Sequence, residues 1–345
     1  MASITIKQIA AEAGVSIGTV DRVLHNRGKV SEQNKRRILD ICRRYNYAQN
    51  IVGKAMAMQR KHQKIAVVIN SESQNSFSAQ IYAGVRAIEK EVKDYNISFE
   101  YYDLCRNTVD EQVNILAQLE QQELAGIIIK PVDNPLVRIH MEILAEKNIP
   151  VVLCTSDMDF PGKLCFVGQD HYKDGRLMAN VLCKIHDRPL NILMLVAPLQ
   201  TYARKARIDG FLSYMREHKK AFHICDICEI TQSGQNACAK IISALKAHPE
   251  AQALYINTTE IEPCIQALDS YGQFQGLRFC FGHQKRVGPY IHQGKLDFAI
   301  GEVPFQHGYR AGEAIFKYLL SREMPSPGNC VFHGNVLLEE NCDFQ

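Results

Sequence analysis

The stretch TIKQIAAEAGVSIGTVDRVLHNRGKVSEQNKRRILDICRR, residues 5 to 44, decides how the chain begins. Thr5 can cap a first helix whose apolar residues recur every three or four positions, and Gly14 suits the left-handed residue that ends a helix. Ser16 can cap a second helix after only a short turn, and Ser31 can cap a third. Two helices joined so tightly predict a helix-turn-helix.

The charge of the chain is distributed unevenly. Residues 1–64 hold 13 Lys and Arg against four Asp and Glu, a net charge of +9, whereas residues 65–345 hold 27 against 33, a net charge of −6. A small basic unit on a larger, mildly acidic body is typical of a protein that binds nucleic acid at one end. A solvated basic surface without a partner is the alternative.

Composition sets limits on the class of protein. The 345 residues are 46% hydrophobic and 22% charged, as in a soluble globular protein of two or three folding units. No secretory signal and no apolar run of about 20 residues is evident, which predicts a cytoplasmic protein without a membrane partner. The 12 cysteines are scattered, so we interpret them as reduced thiols, with a redox or metal site at Cys225 and Cys228 as the alternative.

Catalytic motifs are missing from the sequence. It contains no nucleophile elbow, zinc-protease helix, phosphate-binding loop or dinucleotide fingerprint. We therefore predict that the protein is not an enzyme and needs no cofactor or metal, and an enzyme carrying a DNA-binding unit is the remote alternative.

The first 57 residues resemble the lactose-repressor (LacI) family. The matching motifs are AGVSIGTVDRVL at 13–24, VS at 30–31 and NYAQN at 46–50, followed by a short segment rich in small residues. The resemblance implies that the second helix lies in the major groove of DNA, with Ile17, Gly18 and Arg22 reading base edges. It implies phosphate contacts from Thr5, Ser16, Thr19, Asn26, Ser31, Tyr47 and Asn50.

Arg22 can offer two donors to guanine, whereas Ile17 and Gly18 have little hydrogen-bonding capacity. Specificity at those two positions is therefore expected to depend on thymine methyl groups and on DNA shape. For each polar residue, simple helix capping remains an alternative to a phosphate contact.

Asp21 departs from the family, whose members usually carry serine at this position. Three interpretations remain open: Asp21 accepts a hydrogen bond from cytosine, pairs with a base such as Lys7 or His25 to orient the helix, or lies outside the groove. We favour the orienting role.

Residues 50–63 are predicted to form a hinge helix and linker between the DNA-binding unit, residues 1–49, and the rest of the chain. Gly53 costs about 1 kcal/mol of helix stability relative to alanine, so the helix should be marginal when isolated. The resemblance implies that two such helices enter the minor groove, where Met56 beside Ala57 would wedge between base pairs. A flexible tether is the alternative.

Residues 64–345 alternate apolar strands with amphipathic helices, which predicts an α/β fold. Their number favours two doubly wound parallel sheets facing each other across a cleft, as in the periplasmic sugar-binding proteins that this family resembles. We assign residues 64–165 and 293–325 to lobe 1, and residues 166–290 and 326–345 to lobe 2.

Ligands bind at the carboxyl ends of such strands, and polar residues follow them here. Resemblance to pentose-binding relatives makes Asn75 a hydroxyl partner, Phe77 a stacking face and Asp133 a hydroxyl acceptor. The pattern RIDGF makes Arg207 the strongest candidate, and Asn257 stands where the family has an Asn-Asp pair. The other candidates for ligand contact are Lys130, Tyr202, Lys205, His283 and Glu302.

His283 stands where many relatives carry an aspartate, and Glu302 stands where pentose binders often have a glutamine. The carboxylate of the site is therefore at position 302 here instead of position 283. A carboxylate and an imidazole can still bind a polyol, but the surrounding cations would equally suit an anionic ligand such as a uronic acid or sugar phosphate. The sequence therefore predicts a transcription regulator, acting as a repressor, that binds a pseudo-palindromic operator as a homodimer under the control of a small sugar-like ligand. An anionic or purine ligand is the alternative.

Overall fold

The computed structural model describes residues 4–24, 30–45, 51–71, 76–105, 107–197, 202–231, 234–258, 261–325 and 328–342. The side chains at positions 51, 52, 54 and 57 lie outside this description. Four predicted site residues, Asn26, Tyr47, Asn50 and Asn75, also lie outside it, as does the side chain of Ala57.

Three short helices form the N-terminal unit: α1 (Ile6–Ala13), α2 (Ile17–Leu24) and α3 (Glu32–Arg44). They share a small apolar core. Gly14 ends α1 with φ at +66°, in the left-handed region that favours glycine, and so permits the tight turn into α2. The predicted helix-turn-helix is present.

The linker is helical as α4 (Ile51–Gln59) and is attached to the body at its C-terminal end. Met58 is buried in the core of the first lobe. Gln59 Nε2 donates to Asp94 O at 2.9 Å, and Asn96 Nδ2 donates to Gln59 O at 3.1 Å. Met56, by contrast, is exposed. The end of α4 is thus held on lobe 1 while Met56 is accessible.

Two six-stranded sheets build the two lobes. The strands and helices of the body are β1 (Gln63–Asn70), α5 (Ser76–Val92), β2 (Ile97–Leu104), α6 (Val109–Leu119), β3 (Gly126–Ile129), α7 (Pro135–Glu146), β4 (Val151–Cys154), β5 (Lys163–Gln169), α8 (His171–Ile185), β6 (Leu190–Val196), α9 (Tyr202–Glu217), β7 (Phe222–Glu229), α10 (Gly234–Ala247), β8 (Ala253–Asn257), α11 (Ile261–Tyr271), β9 (Leu277–His283), α12 (Gln284–His292), β10 (Phe298–Glu302), α13 (Pro304–Ser321), β11 (Cys330–Phe332) and β12 (Val336–Leu337).

The strand orders of the sheets are β11-β5-β4-β3-β1-β2 and β12-β10-β9-β8-β6-β7. Within each sheet the first five strands follow the order 2-1-3-4-5 of flavodoxin-like folds, whose ligands bind where the order reverses. The predicted parallel pairing is confirmed except at one edge, where β12 pairs antiparallel with β10.

The predicted lobe boundaries are wrong by about four residues at the first crossover and by one strand at each of the other two. β5 stays in the sheet of lobe 1 through Gln169. β10 belongs to the sheet of lobe 2, although it was assigned to lobe 1, and β11 belongs to the sheet of lobe 1, although it was assigned to lobe 2. The sequence pattern predicts that a strand is buried, but it does not predict which strand lies beside it. Only the pairing of β10 with β9 in the structure shows that β10 belongs to lobe 2. The chain therefore crosses between lobes near 170, 303 and 334.

Close helix packing fixes the start of lobe 2. A Cβ added to Gly175 of α8 would lie 1.9 Å from Arg207 O, and one added to Gly210 of α9 would lie 2.0 Å from Tyr172 O. Only glycine allows the two backbones to come this close. The crossing places the N-terminal part of α9, with Arg207, beside α8.

Candidate functional site

A cavity of about 140 Å³ lies between the lobes, at the carboxyl ends of the strands. Lobe 1 contributes the starts of α5 and of the loops after β3 and β4, and lobe 2 contributes α9 and the ends of β8, β9 and β10. The cavity is about ten times larger than the roughly 10–15 Å³ that a single buried water requires. It suits a small polar molecule.

Arg207 is the most buried charge in the cavity wall, with 7% of its surface exposed. Its Nη2 donates to Glu302 Oε1, and its guanidinium carbon lies 4.4 Å from the centre of the Phe281 ring. Burial works to raise the pKa of the Glu302 carboxyl, but the charge and hydrogen bond of Arg207 outweigh it and leave the pKa below its usual value. The pair is ionised.

Lys130 enters the cavity from lobe 1, directly after β3. Its Nζ donates to Asn70 Oδ1 at 2.9 Å. Burial lowers the pKa of the Lys130 ammonium to about 8, and the positive charge of Arg204 on α9 contributes to this lowering. Two cations from opposite lobes are therefore close enough to repel each other.

Polar atoms in the cavity wall lack hydrogen-bond partners among the described residues. They are Thr155 Oγ1, His171 Nδ1, Arg207 Nε and His283 Nδ1. Thr155 also has φ at +64°, a strained conformation for a β-branched residue. Buried polar groups are normally satisfied, and strain of this kind is concentrated at functional sites, so both observations favour a bound polar ligand.

A side-chain hydrogen bond crosses the cleft directly. His283, which ends β9 in lobe 2, has its Nε2 3.0 Å from Ser76 Oγ, at the start of α5 in lobe 1. Burial lowers the pKa of the His283 imidazole, so the neutral ring is favoured at neutral pH. The contact holds the two lobes together at the mouth of the site.

Behind the cavity, a buried polar cluster connects the crossovers between lobes. Gln169 Nε2 donates to Gly301 O at 3.0 Å, and Gly334 N donates to Asp174 Oδ1 at 2.9 Å. Burial raises the pKa of the Asp174 carboxyl to about 7, although Arg207 opposes the increase. Burial lowers the pKa of the neighbouring histidines, to about 3 for His171 and about 4 for His307.

The structure brings together six of the predicted ligand residues: Phe77, Lys130, Arg207, Asn257, His283 and Glu302 all line the cavity. Three others do not line it. Asp133 is exposed beside the start of α7, and Tyr202 and Lys205 are exposed on α9.

Helical spacing explains the two misplaced residues of α9. Arg204 and Arg207 are three positions apart and therefore share one face, whereas Lys205 follows Arg204 by a rotation of about 100°. Arg204 is the cavity residue that the sequence reasoning missed on this helix. The other residues it missed are Thr155, Ser156, His171, Ala203, Thr258, Ile261, Phe281, Gly282, Arg286 and Val287. The helical spacing from Arg207 was the signal available for Arg204.

The second candidate site is the outer face of α2. Val20 and Val23 are buried, while Ser16, Ile17, Gly18 and Arg22 are exposed. Arg22 Nε donates to Gly18 O at 3.1 Å, and Nη2 donates to Thr19 Oγ1 at 3.3 Å, so the guanidinium lies along the helix. Asp21 is half-buried on the same helix. Its orienting role stays a prediction.

Three of the predicted phosphate contacts also cap helices. Gln8 N donates to Thr5 Oγ1 at 3.3 Å, Thr19 N to Ser16 Oγ at 3.1 Å and Asn34 N to Ser31 Oγ at 3.4 Å. All three hydroxyl residues are exposed. Capping thus occupies these hydroxyls without removing them from the surface, and their contact with phosphate stays a prediction.

Other classes of site find no support in the described part of the chain. It contains no cluster of three or more His, Cys, Asp and Glu side chains suited to a metal ion. All 12 cysteines have free thiols, including Cys225 and Cys228 on β7. Among the described helices, none has the length and apolar character that crossing a membrane requires.

Comparison with known proteins places both units. Residues 65–323 match the family of periplasmic binding protein domains, and residues 5–50 match bacterial regulatory proteins of the lacI family. The chain is 31% identical over 179 residues to the HTH-type transcriptional regulator RegA of Clostridium saccharobutylicum, covering 52% of this chain and 51% of that protein. It is 24% identical over 240 residues to the ribose operon repressor of Bacillus subtilis, covering 70% and 69%.

The chain thus spans about half the length of the relative RegA that it matches. The fold of the body is shared with GanP, a glucose-galactose binding protein from Geobacillus stearothermophilus, at a TM-score of 0.71 and 20% identity, covering 81% of this chain and 99% of that one. These relatives are named as regulators or binding proteins rather than enzymes. The chain belongs to the family of periplasmic binding protein domains over residues 65–323, and its residues 5–50 form a domain of the lacI family of bacterial regulatory proteins.

Proposed function

We propose that this protein is a cytoplasmic, sequence-specific transcription regulator that represses by binding a pseudo-palindromic DNA operator as a homodimer. A small carbohydrate-like ligand in the interlobe cavity controls the binding. The observation that carries the proposal is the exposed face of α2, with Ile17 and Arg22 outward on a folded three-helix unit. A helix presented in this way can enter a major groove.

Charge supports DNA as the partner. The net charge of +9 on residues 1–64 is adjacent to the helix face and opposed by a body of net charge −6. Such a basic unit attracts phosphates and releases counterions, which makes affinity strongly dependent on salt.

The cavity supports a ligand that couples to DNA. Both lobes line it, so a ligand that prefers one lobe arrangement changes the balance between arrangements. The end of α4 is anchored on lobe 1 through Met58, so a movement of lobe 1 carries α4 with it. In the dimer, this would change the spacing of the two hinge helices and of the α2 helices beyond them.

Arg22→Ala tests the DNA-reading role. Operators are first selected from a random DNA pool by the wild type, and the affinities of both proteins for the selected and a scrambled duplex are then compared. We expect the variant to lose about 10–100-fold of the discrimination between them, because a bidentate contact to guanine is worth about 1–3 kcal/mol. Arg216→Ala, at an exposed arginine of α9 outside the cavity wall, serves as a matched arginine control.

Equal weakening on both duplexes would assign Arg22 to phosphate rather than to base reading. A wild type that selects no sequence, or whose affinity is insensitive to salt, would refute the proposed function itself.

A further inference from the structure

The chain leaves α4 beside Asn96, a residue of lobe 1 with an unusual backbone conformation. Asn96 lies between a 3₁₀ turn (Lys93–Tyr95) and the start of β2, and its φ is +57°. Asparagine is one of the few residues other than glycine that adopt this left-handed conformation readily. The turn therefore presents the carboxamide of Asn96 at a defined point, next to the segment that joins α4 to β1.

Asn96 contacts this joining segment at three positions. Its Nδ2 donates to Gln59 O at 3.1 Å, its Oδ1 lies 3.1 Å from His62 Nδ1, and its backbone oxygen accepts from Gln63 N at 3.0 Å. A carboxamide oxygen can only accept, so His62 Nδ1 is the donor of the second bond. One residue thus holds the chain from the last residue of α4 to the first residue of β1.

Two further hydrogen bonds strengthen the attachment. Gln59 Nε2 donates to Asp94 O at 2.9 Å, and His62 Nε2 is 3.0 Å from Ser98 Oγ on β2. We call Gln59, His62, Asn96 and Ser98 the hinge clamp. Two of its members come from the hinge segment and two from lobe 1, so the clamp connects the end of α4 directly to β2, an edge strand of its sheet.

The hinge clamp supplies a constraint that the apolar anchor of α4 does not. Met58 is buried in the core of lobe 1, and apolar burial is non-directional. Met58 fixes where α4 meets the lobe, whereas hydrogen bonds weaken steeply when their angles change. The ion pair between Lys61 and Glu123 has side chains that are 77% and 89% exposed, so it adds little. The clamp therefore constrains the direction in which α4 leaves lobe 1.

The direction of α4 matters because the helix acts as a lever. Its 9 residues are about 14 Å long at roughly 1.5 Å per residue. A change of about 15° in direction therefore moves its far end by about 3.5 Å, close to the step of about 3.4 Å between base pairs of B-DNA. The α2 helix lies beyond that end, and a helix-turn-helix dimer reads two half-sites at a fixed spacing.

Building on the proposed function, we infer that Asn96 is a positioning residue for operator recognition: through the hinge clamp it fixes the direction of α4 and thereby the half-site spacing that the regulator accepts. Asn96 acts through α4 and contacts no DNA itself. The bases within each half-site are read by α2, so loss of the clamp broadens the accepted spacing without changing the half-site sequence.

The first measurement needs neither DNA nor ligand. Hydrogen exchange of the full-length protein is followed by mass spectrometry in the wild type and in Asn96→Gly, which keeps the left-handed backbone and removes the carboxamide. We expect peptides covering residues 59–63 to exchange about 5–100-fold faster in the variant, because two side-chain hydrogen bonds are lost, while β3 and β4 keep their rates. Asn148→Gly, at an exposed left-handed asparagine of the same lobe (φ +62°), should behave like the wild type.

The second measurement tests spacing. Operators are selected from a random DNA pool by the wild type, and base pairs are then added or removed between the two half-sites. We expect one added or removed base pair to weaken the wild type by about 10–100-fold, as a mismatched position does, and Asn96→Gly by less than about threefold. A fresh selection with Asn96→Gly should return the same half-site sequence at several spacings. His62→Phe removes the ring nitrogens but keeps a ring of similar size, and it should broaden the spacing in the same way.

Two results would overturn the inference. One is exchange at residues 59–63 that is unchanged in Asn96→Gly. The other is faster exchange with a spacing preference as narrow as that of the wild type, including equal weakening on every spacing, which would limit Asn96 to stability. A wild type that selects no operator would contradict the proposed function instead, and the exchange measurement would still decide whether Asn96 holds the end of α4.

Discussion

At the scale of single residues, the buried pair of Arg207 and Glu302 illustrates how the site depends on matched charges. Removing one member leaves the other buried without a counterion, which costs about 3–5 kcal/mol. Arg207→Met should therefore lower the free energy of unfolding by that amount, measured by urea denaturation. Because the loss comes from the stranded Glu302 carboxylate, adding Glu302→Gln should recover most of it.

The double variant should also bind the ligand of the cavity more weakly than the wild type, since the guanidinium and the carboxylate are both gone. If Arg207→Met and the double variant are equally unstable, packing of the guanidinium against Phe281 rather than charge pairing carries the stability of this site.

Asp174 predicts a specific pH dependence of stability. Its pKa rises from 3.8 to about 7 on folding, so the folded chain holds more protons than the unfolded chain between those values. The contribution of Asp174 to stability is thus present below about pH 4 and is lost as the pH rises through 7. His171 and His307, with pKa values lowered from 6.5 to about 3 and 4, act oppositely and add stability as the pH rises to 6.5.

Asp174→Asn separates these effects. Relative to the wild type, its free energy of unfolding should rise more steeply from pH 4 to 6.5 and should no longer fall between pH 6.5 and 7.5. Urea denaturation across this range measures both slopes, with the exposed Asp209→Asn on α9 as the comparison variant. Parallel curves for wild type and Asp174→Asn would show that this carboxyl keeps an ordinary pKa.

At the scale of helices and strands, local signals were sufficient for the N-terminal unit but not for the lobe connections. Thr5, Gly14 and Ser16 have the caps expected of them, because capping depends on a few adjacent atoms. Four strands, β5, β7, β11 and β12, were not predicted from the sequence. β7 is an edge strand in which a single buried residue stands among half-buried and exposed ones, so it has neither an apolar run nor a strict alternation.

The glycine crossing of α8 and α9 gives an element-scale prediction. Gly210→Ala should push the helices apart, because its Cβ would lie 2.0 Å from Tyr172 O, and backbone there cannot give way cheaply. We expect a loss of about 1–3 kcal/mol in the free energy of unfolding, as for an overpacked core, and a weaker ligand because Arg207 moves with α9. Gly328→Ala, where a Cβ has no neighbour within 4 Å, should leave both nearly unchanged. If Gly210→Ala is as stable as the wild type, the two helices can accommodate a Cβ at this crossing without strain.

At the scale of the whole molecule, the cavity exists only because three crossovers bring two sheets face to face. From the sequence, six of the described ligand candidates could be placed in the wall, since each follows a recognisable strand or motif. Thr155 and His171 could not, because their place depends on how the lobes meet. The same dependence makes closure a property of both lobes together, fixed at the mouth by His283 and Ser76.

Linkage between the two proposed sites follows from that shared closure. If a ligand changes operator affinity by some factor, the operator must change ligand affinity by the same factor, whatever the direction. Ser76→Ala removes the cross-cleft hydrogen bond and should weaken the ligand about 2–10-fold, because a net hydrogen bond is worth about 0.5–1.5 kcal/mol. Operator affinity without ligand should shift toward the value that belongs to the open arrangement.

Titrating ligand with and without a selected operator, and operator with and without ligand, measures both factors. Ser243→Ala, at an exposed serine of α10 away from the cavity wall, should keep wild-type values. Equal factors in the wild type that both change in Ser76→Ala would establish one closure equilibrium; a ligand effect unchanged by Ser76→Ala would place the coupling outside this contact.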